Sequence, residues 1–313
     1  MAINKFMRLA LKVLSYPDID IRKTYQIERS IRYLKLPALL PKDRWSDHTI
    51  AAEGREILTR IYTPEINTGK NTLLFFHGGG WVTESIDTYN KVCDALAQAT
   101  QSRVVSVEYR LAPEHPFPQG LDDCYAAARE LFVRPKSFGF DPGKVTVVGD
   151  SAGGNLAAAV SLRARDEGEF YIPRQVLIYP ATYYDHSEAS PFPSIVENGS
   201  EYLLTSKRIC EYIDLYKRDD RDLQNPYLAP LLAKDFSNQP DTLVITAEFD
   251  PLRDEGEAYG RKLQEAGSRV VVYRMKDALH GFMGLGTGYV HVRRAHALIK
   301  TFINGGGTNE SAR

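Results

Sequence analysis

The sequence is short of cysteine, of net charge and of long apolar runs, and each shortage excludes a class of protein. It has 3 cysteines in 313 residues and no CxxC pair, so neither a disulfide framework nor a cysteine-rich zinc site is expected. Its 39 Lys and Arg nearly balance its 40 Asp and Glu, for a formal net charge of −1. Without a basic stripe or a phosphate-binding loop, we expect no nucleic-acid partner.

Signals for export or membrane insertion are also missing. Apolar residues between Met1 and Leu14 have helical spacing, but Lys5, Arg8 and Lys12 interrupt any signal-peptide core. This segment predicts an amphipathic helix packed on the rest of the protein, with a membrane-surface anchor as the alternative. No apolar run is long enough to span a bilayer. Together these absences predict a cytoplasmic protein without stable membrane association.

From about Thr49 onward, apolar runs alternate with helical patterns. Continuous apolar runs are typical of strands buried on both faces of a parallel sheet, and their alternation with helices favours a wound α/β fold. Strands are predicted at residues 55–62, 72–76, 104–107, 145–148, 175–179, 242–246 and 270–273. Helices are predicted between or after them, at residues 88–100, 120–133, 154–166, 254–266 and 289–303.

One segment breaks this alternation. Residues 183–222 hold no clear strand, are rich in Tyr, Ser and Pro, and include one helical stretch at 206–216. An insertion of this length between core strands usually covers or shapes a site. We therefore expect a cap from residues 1–45 and 183–222, a core from residues 46–182 and 223–304, and a disordered tail at 305–313.

The Gly-x-Ser-x-Gly pattern at residues 149–153 is the strongest chemical signal. A predicted strand precedes it and a predicted helix follows it. A serine on such a sharp turn has its hydroxyl exposed at the end of the sheet, and the flanking glycines keep side chains out of the bend. We predict that Ser151 is a nucleophile.

A serine nucleophile needs a base, and the base needs an acid to orient it. His280 follows the last predicted strand and Asp250 follows the strand at 242–246, so both should lie at the same sheet edge as the serine. Asp277 is an awkward partner because it is close to His280 on the same loop. Asp254 and Glu255 should already lie in a helix. These positions favour His280 as the base and Asp250 as the acid.

Backbone donors for an oxyanion are predicted at two places. Residues 77–81, His-Gly-Gly-Gly-Trp, directly follow a predicted strand, and glycines let a carbonyl oxygen approach the backbone N–H groups closely. The amide of Ala152 opens the helix after the serine and should add a donor. A plain tight turn is the alternative for the glycine run.

Four blocks together resemble the hormone-sensitive-lipase-like family of α/β-hydrolase carboxylesterases, of the acetyl esterase type. They lie at residues 77–81, 109–114, 149–155 and 250–256, the last followed by His-Gly-Phe at 280–282. The resemblance implies a nucleophile, a base and an orienting acid at Ser151, His280 and Asp250. It also implies oxyanion-hole amides at Gly79, Gly80 and Ala152. The implied fold has a mostly parallel, twisted eight-stranded sheet, helices on both faces and a helical cap, and the reaction needs neither metal nor organic cofactor.

The expected function is hydrolysis of a small-molecule ester through an acyl-enzyme intermediate. Because a modest cap suggests a closed pocket, we expect short- to medium-chain acyl esters. Tyr183, Tyr184, Phe192 and Tyr202 are candidates for pocket walls or for packing within the cap. The alternatives are a non-catalytic small-molecule receptor, or another triad acyl hydrolase such as a lactonase or peptidase.

The sequence leaves the oligomeric state open. The last predicted strand could be an exposed edge that pairs in a homodimer. Arg269 and Arg274 at its ends would equally discourage such pairing.

Overall fold

Eight strands form one sheet at the centre of the protein. The structure, a computed structural model, describes residues 19–34, 41, 44–52, 54–66, 71–135 and 139–306. The strands are β1 (Trp45–Ala52), β2 (Arg55–Tyr62), β3 (Thr72–Phe76), β4 (Arg103–Val107), β5 (Val145–Asp150), β6 (Arg174–Ile178), β7 (Asp241–Phe249) and β8 (Val270–Leu279). Their spatial order is β1-β2-β4-β3-β5-β6-β7-β8. β2 pairs antiparallel with β1 and β4, and all other neighbours are parallel, which confirms the mostly parallel sheet.

Helices cover both faces of this sheet. The helices of the described residues are α1 (Ile21–Leu34), α2 (Asn90–Thr100), α3 (Gln119–Val133), α4 (Ala152–Glu167), α5 (Pro193–Asn198), α6 (Ser206–Tyr216), α7 (Arg253–Glu265) and α8 (Val290–Ile303). Buried side chains of α3, α4 and α7 belong to one hydrophobic core. Those of α2 and α8 belong to the core on the other face. Because both faces are covered, every residue of β3 and β5 is buried, as their continuous apolar runs predicted.

All seven strands predicted from the sequence are present, and β1 was missed. β1 lies at one edge of the sheet and most of its residues are exposed, so it carries polar residues instead of an apolar run. β8 forms the opposite edge and extends beyond the predicted end at residue 273. Arg269 and Arg274 form ion pairs with Asp241 and Glu257 of the same chain, at 2.6 and 2.7 Å.

The N-terminal helix α1 packs on α6, the helix predicted within the insertion. Glu28 pairs with Arg208 at 2.8 Å, and Arg22 pairs with Asp214 at 3.0 Å. The helix predicted near residues 3–14 lies outside the described residues, as does most of the predicted tail, whereas α1 lies within residues 1–45, where a helical cap was expected. No helix in the described part of the chain is long and apolar enough to cross a membrane.

Candidate active site

Ser151 lies on the sharp turn between β5 and α4. Its φ and ψ are 56° and −119°, a conformation that an ordinary strand or helix does not contain. A Cβ added at Gly153 would overlap the carbonyl oxygen of Phe76, and one at Gly149 would overlap the carbonyl oxygen of Gly153. The turn therefore closes only with glycine at both positions, as the sequence predicted.

The structure brings His280 and Asp250 to Ser151. His280 directly follows β8 and Asp250 directly follows β7, so both stand at the carboxyl end of the parallel strands. His280 Nε2 lies 2.9 Å from Ser151 Oγ, and His280 Nδ1 lies 2.7 Å from Asp250 Oδ2. Asp250 is fully buried, and its Oδ1 accepts a hydrogen bond of 2.9 Å from the Leu252 amide. This chain of hydrogen bonds suits proton transfer from the serine hydroxyl to an imidazole whose orientation the carboxylate fixes.

Residues 77–84, which follow β3, form a loop beside Ser151 that we call the oxyanion loop. Gly79 and Gly80 have φ of 103° and 61°, values that favour glycine. Among the residues that the structure describes, none accepts a hydrogen bond from the amides of Gly79, Gly80 or Ala152. The three amides predicted as oxyanion donors are thus left for a ligand near the serine.

Asp150 is a buried carboxylate at this site that sequence reasoning missed. Its Oδ1 accepts the amide of Gly78 at 2.9 Å, and its Oδ2 accepts the hydroxyls of Tyr89 and Tyr179 at 3.0 and 3.1 Å. Burial raises the pKa of Asp150 to about 6, although these hydrogen bonds favour the charged form and lower the pKa. The ring of Tyr179 lies 4.7 Å from that of His280. Asp150 therefore links the oxyanion loop to the side of the His280 imidazole. Its place directly before the serine was the available signal.

His77, the first residue of the oxyanion loop, is fully buried. Its ring stacks on Tyr109 with centroids 4.3 Å apart, and its Nδ1 lies 2.8 Å from the carbonyl oxygen of Gly78. Burial lowers the pKa of His77 to about 4, so its ring is neutral near pH 7. It supports the loop from inside as an uncharged ring.

A cavity of about 670 Å³ opens over Ser151. Its sheet-side wall comprises Gly79, Gly80, Asp150, Ser151, Ala152 and His280. Its helix-side wall comprises Glu28 and Arg32 of α1 together with Leu203, Leu204, Arg208, Ile209 and Tyr212. The four aromatic residues proposed as pocket walls do not line it. They pack elsewhere: Tyr183 contacts Tyr184 and Phe192, and Tyr202 stacks on Phe249.

Comparisons with known proteins agree with this geometry. A family model described as "alpha/beta hydrolase fold" matches residues 73–284. An arylesterase of Saccharolobus solfataricus is 38% identical over 90% of this chain and 91% of its own length. An ethyl acetate hydrolase of Pseudomonas putida is 36% identical over 75% of this chain and 74% of its own length.

Solved structures extend the likeness over nearly the whole chain. A hyperthermophilic esterase from the archaeon Pyrobaculum calidifontis superposes with a TM-score of 0.84 at 38% identity, covering 97% of this chain and 98% of that chain. This chain therefore belongs to the α/β-hydrolase family, among the hormone-sensitive-lipase-like carboxylic ester hydrolases that its motifs resemble.

Proposed function

We propose that this protein is a serine carboxylesterase that cleaves short- to medium-chain acyl esters through an acyl-enzyme intermediate. The single observation that carries the proposal is the hydrogen-bonded chain from Ser151 Oγ through His280 to Asp250, beside three amides without an acceptor in the described chain. An alcohol, a base and preorganised donors within reach of one carbonyl carbon are the parts that acyl transfer requires.

In the proposed reaction, Ser151 Oγ attacks the ester carbonyl while His280 Nε2 takes the hydroxyl proton. The amides of Gly79, Gly80 and Ala152 hold the oxyanion, and the loss of one such donor costs about 10²–10³ in turnover in a comparable enzyme. His280 then gives its proton to the leaving alcohol. Water then attacks the acyl-enzyme while His280 takes its proton, and His280 returns that proton to Ser151 as the acid leaves. Asp250 stabilises the imidazolium in both halves of the reaction. These steps need no metal or organic cofactor.

The preference for short to medium acyl chains rests on the cavity. Its helix-side wall includes Leu204, Ile209 and Tyr212, so the acyl group would lie between this wall and Ser151 and not on a flat lipid-facing surface. The relative named for ethyl acetate hydrolysis supports a small acyl group. The helices that cover the cavity support the assignment of residues 1–45 and 183–222 to a cap. A cytoplasmic location and a homodimer through the β8 edge stay predictions.

Labelling and turnover test the proposal together. Wild-type protein should react covalently with a fluorophosphonate and hydrolyse p-nitrophenyl esters, with the highest kcat/KM between acetate and octanoate. Ser151→Ala should lose labelling and at least about 10⁴-fold in kcat. Ser161→Ala is the matched control, because Ser161 is a buried serine of α4 outside the cavity.

Three results would contradict the proposal. Labelling of Ser151→Ala would mean a different nucleophile. An optimum at palmitate would remove the preference for short chains. Binding of esters without turnover by the wild type would favour the receptor alternative.

A further inference from the structure

The oxyanion loop has a strained backbone. Besides Gly79 and Gly80, two residues with side chains have positive φ, Trp81 at 60° and Glu84 at 69°. Non-glycine residues in this region are strained and persist only where surrounding contacts fix them. Because Trp81 is next to Gly80, a relaxation of this strain would move the amides of Gly79 and Gly80.

The sheet side fixes only part of the loop. Asp150 accepts the amide of Gly78, and the amide of Ala112 donates to the carbonyl oxygen of Trp81 at 2.9 Å. Within the loop, the amides of Val82 and Thr83 donate to the carbonyl oxygen of Gly79, at 3.1 and 2.9 Å. These contacts leave the Val82 carbonyl and the Glu84 side chain to partners outside the sheet.

Those partners come from α1. Arg29 Nε donates to the Val82 carbonyl oxygen at 2.7 Å, and its Nη2 donates to the Ala112 carbonyl oxygen at 2.7 Å. The same guanidinium binds both carboxylate oxygens of Glu114 at 3.0 Å, with its side chain only 20% exposed. Arg32, one turn later, pairs with Glu84. Arg29 thus joins the oxyanion loop, at Val82, to the segment that contains Ala112 and Glu114.

Helix α6 closes the loop from above. Tyr216 stacks on Trp81 with ring centroids 4.5 Å apart and an interplanar angle of 2°. The ring of Tyr212 lies so close to Gly80 that a Cβ added there would overlap it. Since α6 packs on α1, the contacts of both helices reach the loop together.

We propose that Arg29 is a positioning residue for the oxyanion hole: its hydrogen bonds to the carbonyls of Val82 and Ala112 hold the strained loop so that the amides of Gly79 and Gly80 face Ser151. Val82 is two residues from Gly80, so a shift of its peptide is passed along a short stretch of backbone. Hydrogen bonds weaken steeply with misalignment, and an oxyanion needs its donors at about 2.7–3.1 Å. This inference rests on the proposed esterase function for its kinetic consequences alone.

The test compares two arginines of the same helix. Arg29→Ala removes the contacts to the loop, whereas Arg22→Ala removes an exposed arginine that pairs with Asp20 and Asp214 and does not touch the loop. We expect Arg29→Ala to lower kcat about 10- to 100-fold with KM changed less than about threefold, because the donors act mainly in the transition state. Affinity for a trifluoromethyl ketone, whose hemiketal oxyanion occupies the hole, should fall in parallel. Arg22→Ala should match the wild type in all three measurements.

Hydrogen exchange supplies a readout that does not depend on catalysis. Amides of residues 78–84 should exchange faster in Arg29→Ala than in Arg22→Ala, measured by mass spectrometry on the full chain. Equal exchange, or a kcat within about twofold of Arg22→Ala, overturns the inference. If the wild type hydrolyses no ester, the proposed function fails and exchange alone decides on Arg29. If Arg29→Ala does not fold, Arg29→Lys decides: one ammonium cannot reproduce the planar fork, so kcat should still fall at least threefold, and an unchanged kcat rejects the proposal.

Discussion

The two walls of the cavity are built in different ways. On the sheet-side wall, functional groups lie at strand ends and in turns. The backbone atoms of these turns are in contact with one another and cannot move aside for an added side chain. On the helix-side wall, α1 and α6 are joined by ion pairs between partly exposed side chains, which contribute little each. The comparison implies that an added side-chain atom lowers stability most on the sheet-side wall. Loss of a single contact between α1 and α6 should change stability little.

A single methyl group on the sheet side should have the largest effect. Gly153→Ala places a Cβ against the carbonyl oxygens of Phe76 and His77, both backbone atoms that cannot rotate away. We expect either no soluble folded protein or a loss of more than about 3 kcal/mol in the free energy of unfolding, measured by urea titration. Gly288→Ala is the control, since a Cβ there meets no atom within 4 Å. Equal stability of the two variants would contradict the comparison.

Acid should act on buried groups around the sheet and not on the contacts between α1 and α6. Burial lowers the pKa of His77 and of His296, on α8, from 6.5 to about 4. Between pH 6.5 and 4 the unfolded chain binds protons on these rings that the folded protein does not, so stability falls as pH falls through this window. Asp150 opposes this, because burial raises its pKa to about 6 and the folded protein binds its proton first. At pH 5 each histidine should cost about 2 kcal/mol and Asp150 should offset about 1 kcal/mol.

His296→Gln isolates this effect away from the cavity. The variant should lose about 2 kcal/mol less than the wild type between pH 7 and pH 5, measured by urea unfolding at each pH. α1 and α6 contain no histidine, so the helix-side contacts contribute no imidazole titration. Identical pH slopes for the two proteins would show that the buried imidazole does not set the acid response.

The buried carboxylate of Asp150, next to Ser151, should show a smaller, kinetic effect. Asp150→Asn leaves one acceptor oxygen for three donors, from Gly78, Tyr89 and Tyr179, and puts an NH2 group where Oδ2 accepts the two hydroxyls. We expect kcat to fall about 10- to 100-fold in steady-state assays. Asp123→Asn, at a buried aspartate bound to arginines outside the site, should lower the melting temperature while the folded fraction keeps its kcat. A kcat within twofold of wild type for Asp150→Asn would remove Asp150 from the account of the oxyanion loop.

The smallest effect should come from the ion pairs between the two helices. Asp214→Asn weakens the contact with Arg22, whose side chain is 46% exposed. We expect the free energy of unfolding to change by less than about 0.5 kcal/mol, with kcat unchanged. The difference should disappear in 0.5 M NaCl, because salt screens exposed charges. A large change that persists in salt would show that the helix-side wall is held as firmly as the sheet side.

The same contrast explains how much could be predicted from the sequence. Ser151, Asp250 and His280 were predicted because each follows a continuous apolar strand, and parallel strands end at one edge of the sheet. Strand β1 was missed because an exposed edge strand needs no apolar run. Asp150 was missed because the motif leaves its position variable, although the structure gives it three hydrogen-bond donors.

The roles of residues on α1 and α6 could not be predicted from the sequence, for a different reason. Docking of α1 and α6 determines the contacts of Arg29, Arg208 and Tyr212. That docking depends on tertiary contacts, and no local sequence pattern indicates it. The aromatic residues of the insertion show the same limit. Residue type left Tyr183 and Tyr202 as candidates for either a pocket wall or packing, and the fold uses them for packing.

The contact between Tyr212 and Gly80 ties two segments that are distant in sequence. Any side chain at position 80 must displace an aromatic ring of α6, and a bulkier or differently angled helix must displace the backbone of a donor amide. A chimera that grafts the insertion of a relative onto this core would therefore need the matching glycine loop transplanted with it. The two segments form one exchangeable unit for engineering.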